Sequence, residues 1–305
     1  MNILTTKSAI ALQTEYANLS GLYAAPASAP RALIVALHGG SVTSRIFDDT
    51  IPGEASFVDI AASLGFATIA LDRPGYGASA QISPDKTTFD GQIAILQDAL
   101  KRAWELYGAN SAGIFLTGNS IGGMIALCLA AADLELPVLG VSTHGAGLAW
   151  LPGFVEQLQS LLTNTSSSTI DPRGRSTVVY GPAWSWDHTA DTQLQRSCAP
   201  APIAELRDAL TWPERLRQIG ALIHVPVHIT IAEYDDRWSS APNVLHELSQ
   251  LFPAAPFVDI RRQRFVGHQL CVNFAARAFY LHELAFVEEC RVQKLTATTR
   301  HRSQQ

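Results

Sequence analysis

The chain has 305 residues, about twice the length of an ordinary domain, which suits one large domain or a domain carrying an insertion. Hydrophobic residues make up 47% and charged residues 16%, too apolar for a disordered chain and enough for a sizeable core. Against 22 Lys and Arg stand 27 Asp and Glu, a net charge of −5, which argues against the basic face of a nucleic-acid binder and names no substrate.

No run approaches the roughly 18 to 20 apolar residues of a membrane-spanning helix; the longest strongly apolar stretch is Met124 to Ala132. The first residues carry one lysine and an apolar patch broken by threonines, without the hydrophobic region of a secretory leader. Cys128, Cys198, Cys271 and Cys290 are widely spaced, form no CxxC pair and read as reduced thiols. A cytoplasmic protein is the expectation.

In chain order, alternation of polar and apolar residues around Glu15 to Tyr23 predicts a strand, followed by a Pro/Ala/Ser turn at Ala25 to Pro30. Ala32 to Leu37 is a continuous apolar run stopped by His38–Gly39–Gly40, the pattern of a strand buried on both faces. The pattern recurs at Phe66 to Leu71, Ala112 to Thr117, Pro137 to Val141, Val225 to Ile231 and Phe257 to Ile260. Between these runs lie helix-like stretches: Phe57 to Leu64, Phe89 to Leu106 with apolar residues at helical spacing, and Met124 to Ala132, apolar all round and therefore buried. Buried strands alternating with helices predict a mostly parallel sheet covered on both faces.

From Leu148 to Gln218 the rhythm breaks. No clear strand is present, Ser/Thr/Asn clusters such as Thr163 to Ser168 appear, and four of the six tryptophans (Trp150, Trp184, Trp186, Trp212) fall here. The length exceeds an ordinary connection, and the tryptophans favour a packed helical cap over a disordered loop. The polar, modestly basic tail from Gln293 to Gln305 reads as frayed.

Gly118–Asn119–Ser120–Ile121–Gly122 spells GxSxG between a buried-strand run and an apolar helix. A serine on such a turn is held in strained backbone with its hydroxyl exposed, and the helix N-terminus offers free N–H groups to a developing oxyanion. The blander reading of Ser120 is a helix N-cap. With these neighbours the chain resembles the α/β-hydrolase fold family over most of its length. His38–Gly39–Gly40 resembles that family's oxyanion loop, and Asp72–Arg73–Pro74–Gly75–Tyr76–Gly77–Ala78–Ser79 is similar to its D-x-P-G-x-G-x-S turn. The order serine, acid, histidine is also the family's.

The resemblance implies an acid after the strand Val227 to Ile231. Counting from Ala232 points to Asp235, with Asp236 as competitor, and either could instead be a turn aspartate. It implies a base at His268, behind Gly267, and backbone donors at Gly40 and Ile121. Imidazole activates the serine hydroxyl, and the carboxylate fixes the imidazole tautomer. Asn119 departs from the histidine that many members carry before the nucleophile. It is not one of the three reacting groups, so it leaves the chemistry possible and removes a common supporting hydrogen bond.

The remaining histidines promise less. His224 and His228 on one strand would lie roughly 13 Å apart, too far to share a metal. Asp187–His188 reads as a surface turn, and no metal or organic cofactor is expected. His144, Trp150, Trp184 and Trp186 are the candidates for lining a substrate pocket.

The expected fold is α/β, a mostly parallel, doubly wound sheet of roughly eight strands, with residues 1–147 and 219–305 as core and 148–218 as cap. The expected reaction is hydrolysis of a carboxylic ester or thioester of a small to medium apolar or aromatic substrate through an acyl-enzyme on Ser120. A C–C bond hydrolase, a lactonase using the same residues, or a ligand-binding homologue without turnover are the alternatives, because function lives in the pocket rather than the fold. The partner is a small molecule, with no nucleic acid or membrane; oligomeric state is open.

Overall fold

The computed structural model describes residues 5–302 apart from 166, 168, 171–176 and 190. Its strands are β1 (Thr6–Gln13), β2 (Asn18–Ala25), β3 (Leu33–Leu37), β4 (Ala67–Leu71), β5 (Ile114–Asn119), β6 (Val138–His144), the two-residue β7 (Thr169–Ile170) and β8 (Ala201–Pro202), β9 (Val227–Tyr234) and β10 (Val258–Gly267). The helices are α1 (Phe57–Ser63), α2 (Phe89–Tyr107), α3 (Ile121–Ala131), α4 (Phe154–Thr163), α5 (Asp191–Ser197), α6 (Ile203–Leu210), α7 (Trp212–Ile219), α8 (Pro242–Ser249) and α9 (Ala276–Arg302).

Eight strands form one sheet in the order β1-β2-β4-β3-β5-β6-β9-β10. The pairs β1/β2 and β2/β4 are antiparallel, and the rest, from β4 to β10, are parallel. Every residue of β3, β4 and β5 is buried, because helices cover both faces and leave no side of these strands for polar side chains. The strands alternate between two cores. Leu33, Val35 and Leu37 pack with α2, α3 and α7, whereas Ile34 and Ala36 share the opposite core with Phe57 of α1 and Phe279 and Val287 of α9.

Three expectations need correcting. The first strand region is a hairpin, with Glu15 in the turn; β1 escaped notice because only Leu12 along it is buried, so its sequence carries no alternation. The polar tail is helical as far as Arg302, continuing α9 beyond its core anchors Phe279, Tyr280, Leu284, Phe286, Val287 and Cys290; residues 303–305 lie outside the described residues. His224 also precedes β9 rather than lying on it, while His228 is buried and bonded to Ser142 Oγ and Thr230 Oγ1.

Residues between β6 and β9 hold α4 to α7 and the short β7/β8 pair. The segment Thr163 to Ser168 lies only partly within the described residues. Among the described residues, no helix is long and apolar enough to cross a membrane.

Candidate active site

Parallel strands deliver their functional loops to one edge, the crevice outside their carboxyl ends. Here β3 leads into His38–Gly39–Gly40, β5 into Ser120, β6 ends at His144, β9 leads to Asp235 and β10 to His268. Ser120 joins β5 to α3 with φ 52° and ψ −121°, a conformation that costs strain for any residue with a Cβ. The turn closes only because its flanking residues are glycines: a Cβ on Gly122 would overlap the carbonyls of Leu37 and His38, and one on Gly118 would overlap the Gly122 carbonyl. Although Ser120 occupies the N-cap position of α3, its side chain makes no capping hydrogen bond, so the hydroxyl is not spent on the helix.

His268 is brought onto Asp235. Its Nδ1 lies 2.9 Å from Asp235 Oδ2 and 3.1 Å from Oδ1, and Oδ1 also accepts the backbone N–H groups of Arg237 and Trp238 at 3.0 Å each. Burial by itself pushes the Asp235 carboxyl up, but the His268 ring and these two N–H groups outweigh it and hold the carboxyl below its ordinary value. An acceptor on Nδ1 fixes the proton there and leaves Nε2 as the basic nitrogen. That Nε2 is buried and has no hydrogen-bond partner. Asp236 stays within 4.8 Å of Asp235 and His268 but does not hydrogen-bond the ring; its Oδ1 lies 3.2 Å from Arg237 Nε in an ion pair that is not a hydrogen bond.

Ser120 and His268 flank the same stretch of backbone. The Ser120 N–H donates to the His144 carbonyl at 2.7 Å, and the His268 ring lies against Gly145, so that a Cβ there would sit 2.7 Å from Cε1 and 3.4 Å from Nε2. No hydrogen bond joins the serine hydroxyl to Nε2; such bonds are often long in a resting enzyme and tighten with substrate. Gly40 and Ile121 are neighbours, since a Cβ on Gly40 would come 3.1 Å from Ile121 Cδ1. Ile121 is the first residue of α3, so its N–H has no intrahelical acceptor. Gly39 packs tightly on the nucleophile turn: a Cβ there would lie 2.5 Å from Asn119 Oδ1, which would have to move, and 3.3 Å from Ser120 Cβ.

The expected pocket residues separate. His144 and Asn119 line a cavity of about 20 Å³ with Gln269, Glu283 and Phe279, and burial, with the nearby His268, drives the His144 imidazole down to about 3, so it is neutral. Trp150 stacks on Trp238, ring centroids 3.5 Å apart, behind the turn that carries Asp235. Trp186 is buried against Tyr180, and Trp184 is 59% exposed, edge-on to Tyr234. Trp212 is fully buried and donates Nε1 to the Gly147 carbonyl. Asp187 Oδ1 accepts the Thr189 N–H and hydroxyl, the geometry of a surface turn. Among the described residues, Asp235, Asp236 and His268 are the only cluster with metal-ligand chemistry, and two of its members already hydrogen-bond one another.

Sequence reading missed two sets of residues that hold these loops. Asn273 Nδ2 donates to the Tyr180 carbonyl at 2.7 Å, and its Oδ1 accepts the Gly267 N–H, tying the histidine loop to residues 179–187. Arg73, Tyr76, Gln92 and Glu205 form a buried polar cluster beneath His38–Gly39–Gly40. Asp72–Arg73–Pro74–Gly75–Tyr76 was visible as a turn, but nothing local marks Glu205 as its partner.

A sequence profile described as the alpha/beta hydrolase family matches residues 34–281. The chain belongs to this family. The fold is shared with a soluble variant of monoglyceride lipase from Saccharomyces cerevisiae (TM-score 0.74, 13% identity, covering 95% of this chain and 97% of that one). It is shared with a thermostable carboxyl esterase from Bacillus coagulans (TM-score 0.69, 15% identity, 94% and 99%) and with the thioesterase domain from the curacin biosynthetic pathway (TM-score 0.61, 14% identity, 90% and 98%). No curated protein matches the sequence.

Proposed function

We propose that this chain is a serine hydrolase that cleaves a carboxylic ester or thioester of a small to medium apolar or aromatic substrate. The observation that carries the reading is the His268 imidazole: Nδ1 is held by Asp235, and Nε2 is buried and unspent beside the strained turn of Ser120. The lipase, esterase and thioesterase names among the fold's relatives support the same reaction class.

In the reaction, Nε2 takes the Ser120 proton while Oγ forms a bond to the acyl carbon. The carbonyl becomes an oxyanion that receives the N–H groups of Gly40 and Ile121. Asp235 stabilises the imidazolium. The imidazolium then gives its proton to the departing alcohol or thiol as the C–O or C–S bond breaks, leaving an ester on Ser120. Water, deprotonated by the same nitrogen, attacks that ester; the imidazolium then returns the proton to Ser120 Oγ as its bond to the acyl carbon breaks and the acid leaves. Neutral His144 and His38 add no positive charge that would compete with the imidazolium.

The test is hydrolysis of p-nitrophenyl acetate and butyrate, and of the matching thioester, by wild type and Ser120→Ala. Turnover by wild type that falls at least about 10⁴-fold in the variant is the expected outcome. Tight ligand binding without a product burst from wild type would mean a receptor rather than an enzyme.

A further inference from the structure

Between β3 and the first turn after it, the backbone that carries the Gly40 donor is gripped by side chains rather than by the sheet. The His38 carbonyl accepts Arg73 Nε at 2.7 Å, and the Gly39 carbonyl accepts Arg73 Nη2 at 3.2 Å and His38 Nδ1 at 2.8 Å. His38 Nε2 in turn accepts the Arg73 N–H at 3.0 Å, and burial beside the Arg73 cation keeps this histidine neutral. The Ser41 N–H donates to the Tyr76 hydroxyl at 3.2 Å, on a residue whose φ is 64°. Residues 38, 39 and 41 therefore hang on two side chains, Arg73 and Tyr76.

Both side chains end on one carboxylate. Arg73 Nη1 lies 2.7 Å from Glu205 Oε2, Tyr76 donates its hydroxyl to Oε1, and Gln92 Nε2 donates to Oε2 at 2.8 Å. Arg73 and Glu205 are both wholly buried, and Glu205 Oε1 stands 3.7 Å from where a Gly40 Cβ would be. Glu205 does not come from the sheet. It lies on α6, in the insertion between β6 and β9. The chain just before α6 docks on the same loop: Thr43 N–H donates to the Ser197 carbonyl at 2.8 Å, Ala199 N–H to the Ser41 carbonyl at 3.1 Å, and Val42 pairs with Cys198.

We infer that Glu205 is a positioning residue for the oxyanion donor at Gly40: the insertion holds the loop after β3 in its working shape through Glu205, Arg73 and Tyr76. A buried ion pair is a poor source of stability but a strict geometric constraint, because neither partner tolerates loss of the other. The inference rests on the serine-hydrolase reading, and the donor it concerns acts mainly in the transition state, so its misplacement is felt in kcat more than in KM.

The experiment compares wild type, Glu205→Gln and Tyr76→Phe in p-nitrophenyl butyrate hydrolysis, active-site titration and inhibition by an alkyl trifluoromethyl ketone, whose adduct oxygen occupies the oxyanion position. Glu205→Gln should lower kcat about 10- to 100-fold with KM within about two-fold, and raise the inhibition constant by a similar factor per titrated site. Tyr76→Phe keeps the ion pair and should move both in the same direction by about 2- to 10-fold; it carries the test if Glu205→Gln does not fold. A folded variant with unchanged kcat and inhibition constant per titrated site overturns the positioning role. So does a lower active-site titre with unchanged inhibition, which would be structural loss alone. A wild type that neither turns over nor titrates overturns the hydrolase reading itself, and the positioning role with it.

Discussion

The segment between β6 and β9 touches the loops at the sheet's carboxyl edge through two anchors built from different chemistry. Residues 179–187 hold the histidine loop with neutral groups: Asn273 bonds the carbonyls of Tyr180 and Ser185, Gln269 N–H donates to the Val179 carbonyl at 2.9 Å, and Asp187 N–H to the Val272 carbonyl at 3.0 Å. Residues 197–205 hold the loop after β3 with charged ones, the Arg73–Glu205 pair and the Ser197 hydroxyl on Asp49. The two anchors fail differently. A neutral anchor that loses one partner leaves an unpaired carbonyl, costing about 1 to 3 kcal/mol, whereas an ionic one leaves a buried charge, costing about 3 to 5 kcal/mol. The His268 loop is thus held by a forgiving clasp and the His38–Gly39–Gly40 loop by a strict one.

If both loops serve one site, the largest effect falls on the carboxylate behind His268. Asp235→Asn should cut kcat for p-nitrophenyl butyrate about 10⁴-fold, because the imidazole loses the partner that fixes its tautomer, while Asp236→Asn stays within about two-fold. Equal losses, or the reverse ranking, would detach the histidine loop from the chemistry assigned to it. Initial rates over a range of substrate concentration, per mole of enzyme, give both kcat values.

Next in size is the neutral clasp. Asn273→Ala should lower the unfolding free energy in urea by about 1 to 3 kcal/mol and kcat by about ten-fold, since the loop that presents His268 loses its hub. If the loss of stability exceeds 5 kcal/mol, the two anchors do not differ in the way their chemistry implies.

The smallest effect is in pH. Burial raises Asp49 from 3.8 to about 6, with the Ser197 hydroxyl and Arg45 pulling it partway back. The folded protein therefore keeps the Asp49 proton over a window where the unfolded chain has released it. Its contribution favours folding below about pH 4 and is lost as pH rises through about 6, by at most about 3 kcal/mol. Asp49→Asn cannot ionise, so its Tm relative to wild type should climb between pH 4 and pH 7. A difference that is flat or falls across this window would remove the titrating group from the charged anchor.

The buried runs that became β3, β4 and β5 were legible because strands covered on both faces admit no polar alternation. The serine turn was legible because glycines must flank it. The edge strand β1, mostly exposed, left no such trace, and α9 was hidden behind a polar end that looks like a tail. The insertion tryptophans shared one appearance in sequence, yet Trp186 and Trp212 are buried packing and Trp184 faces outward. Glu205 was the least legible of all. On its own helix it is one of two acids, set between Ala204 and Leu206, and its meaning depends on an arginine that folds against it from 132 positions earlier in the chain.

The most direct measurement is intact-protein and peptide mass spectrometry after treatment with a fluorophosphonate. The expected result is one adduct, mapped to Ser120, that forms far more slowly in His268→Gln. An adduct on another residue, or labelling of Ser120 at the same rate without the imidazole, would contradict the claim that His268 deprotonates this serine.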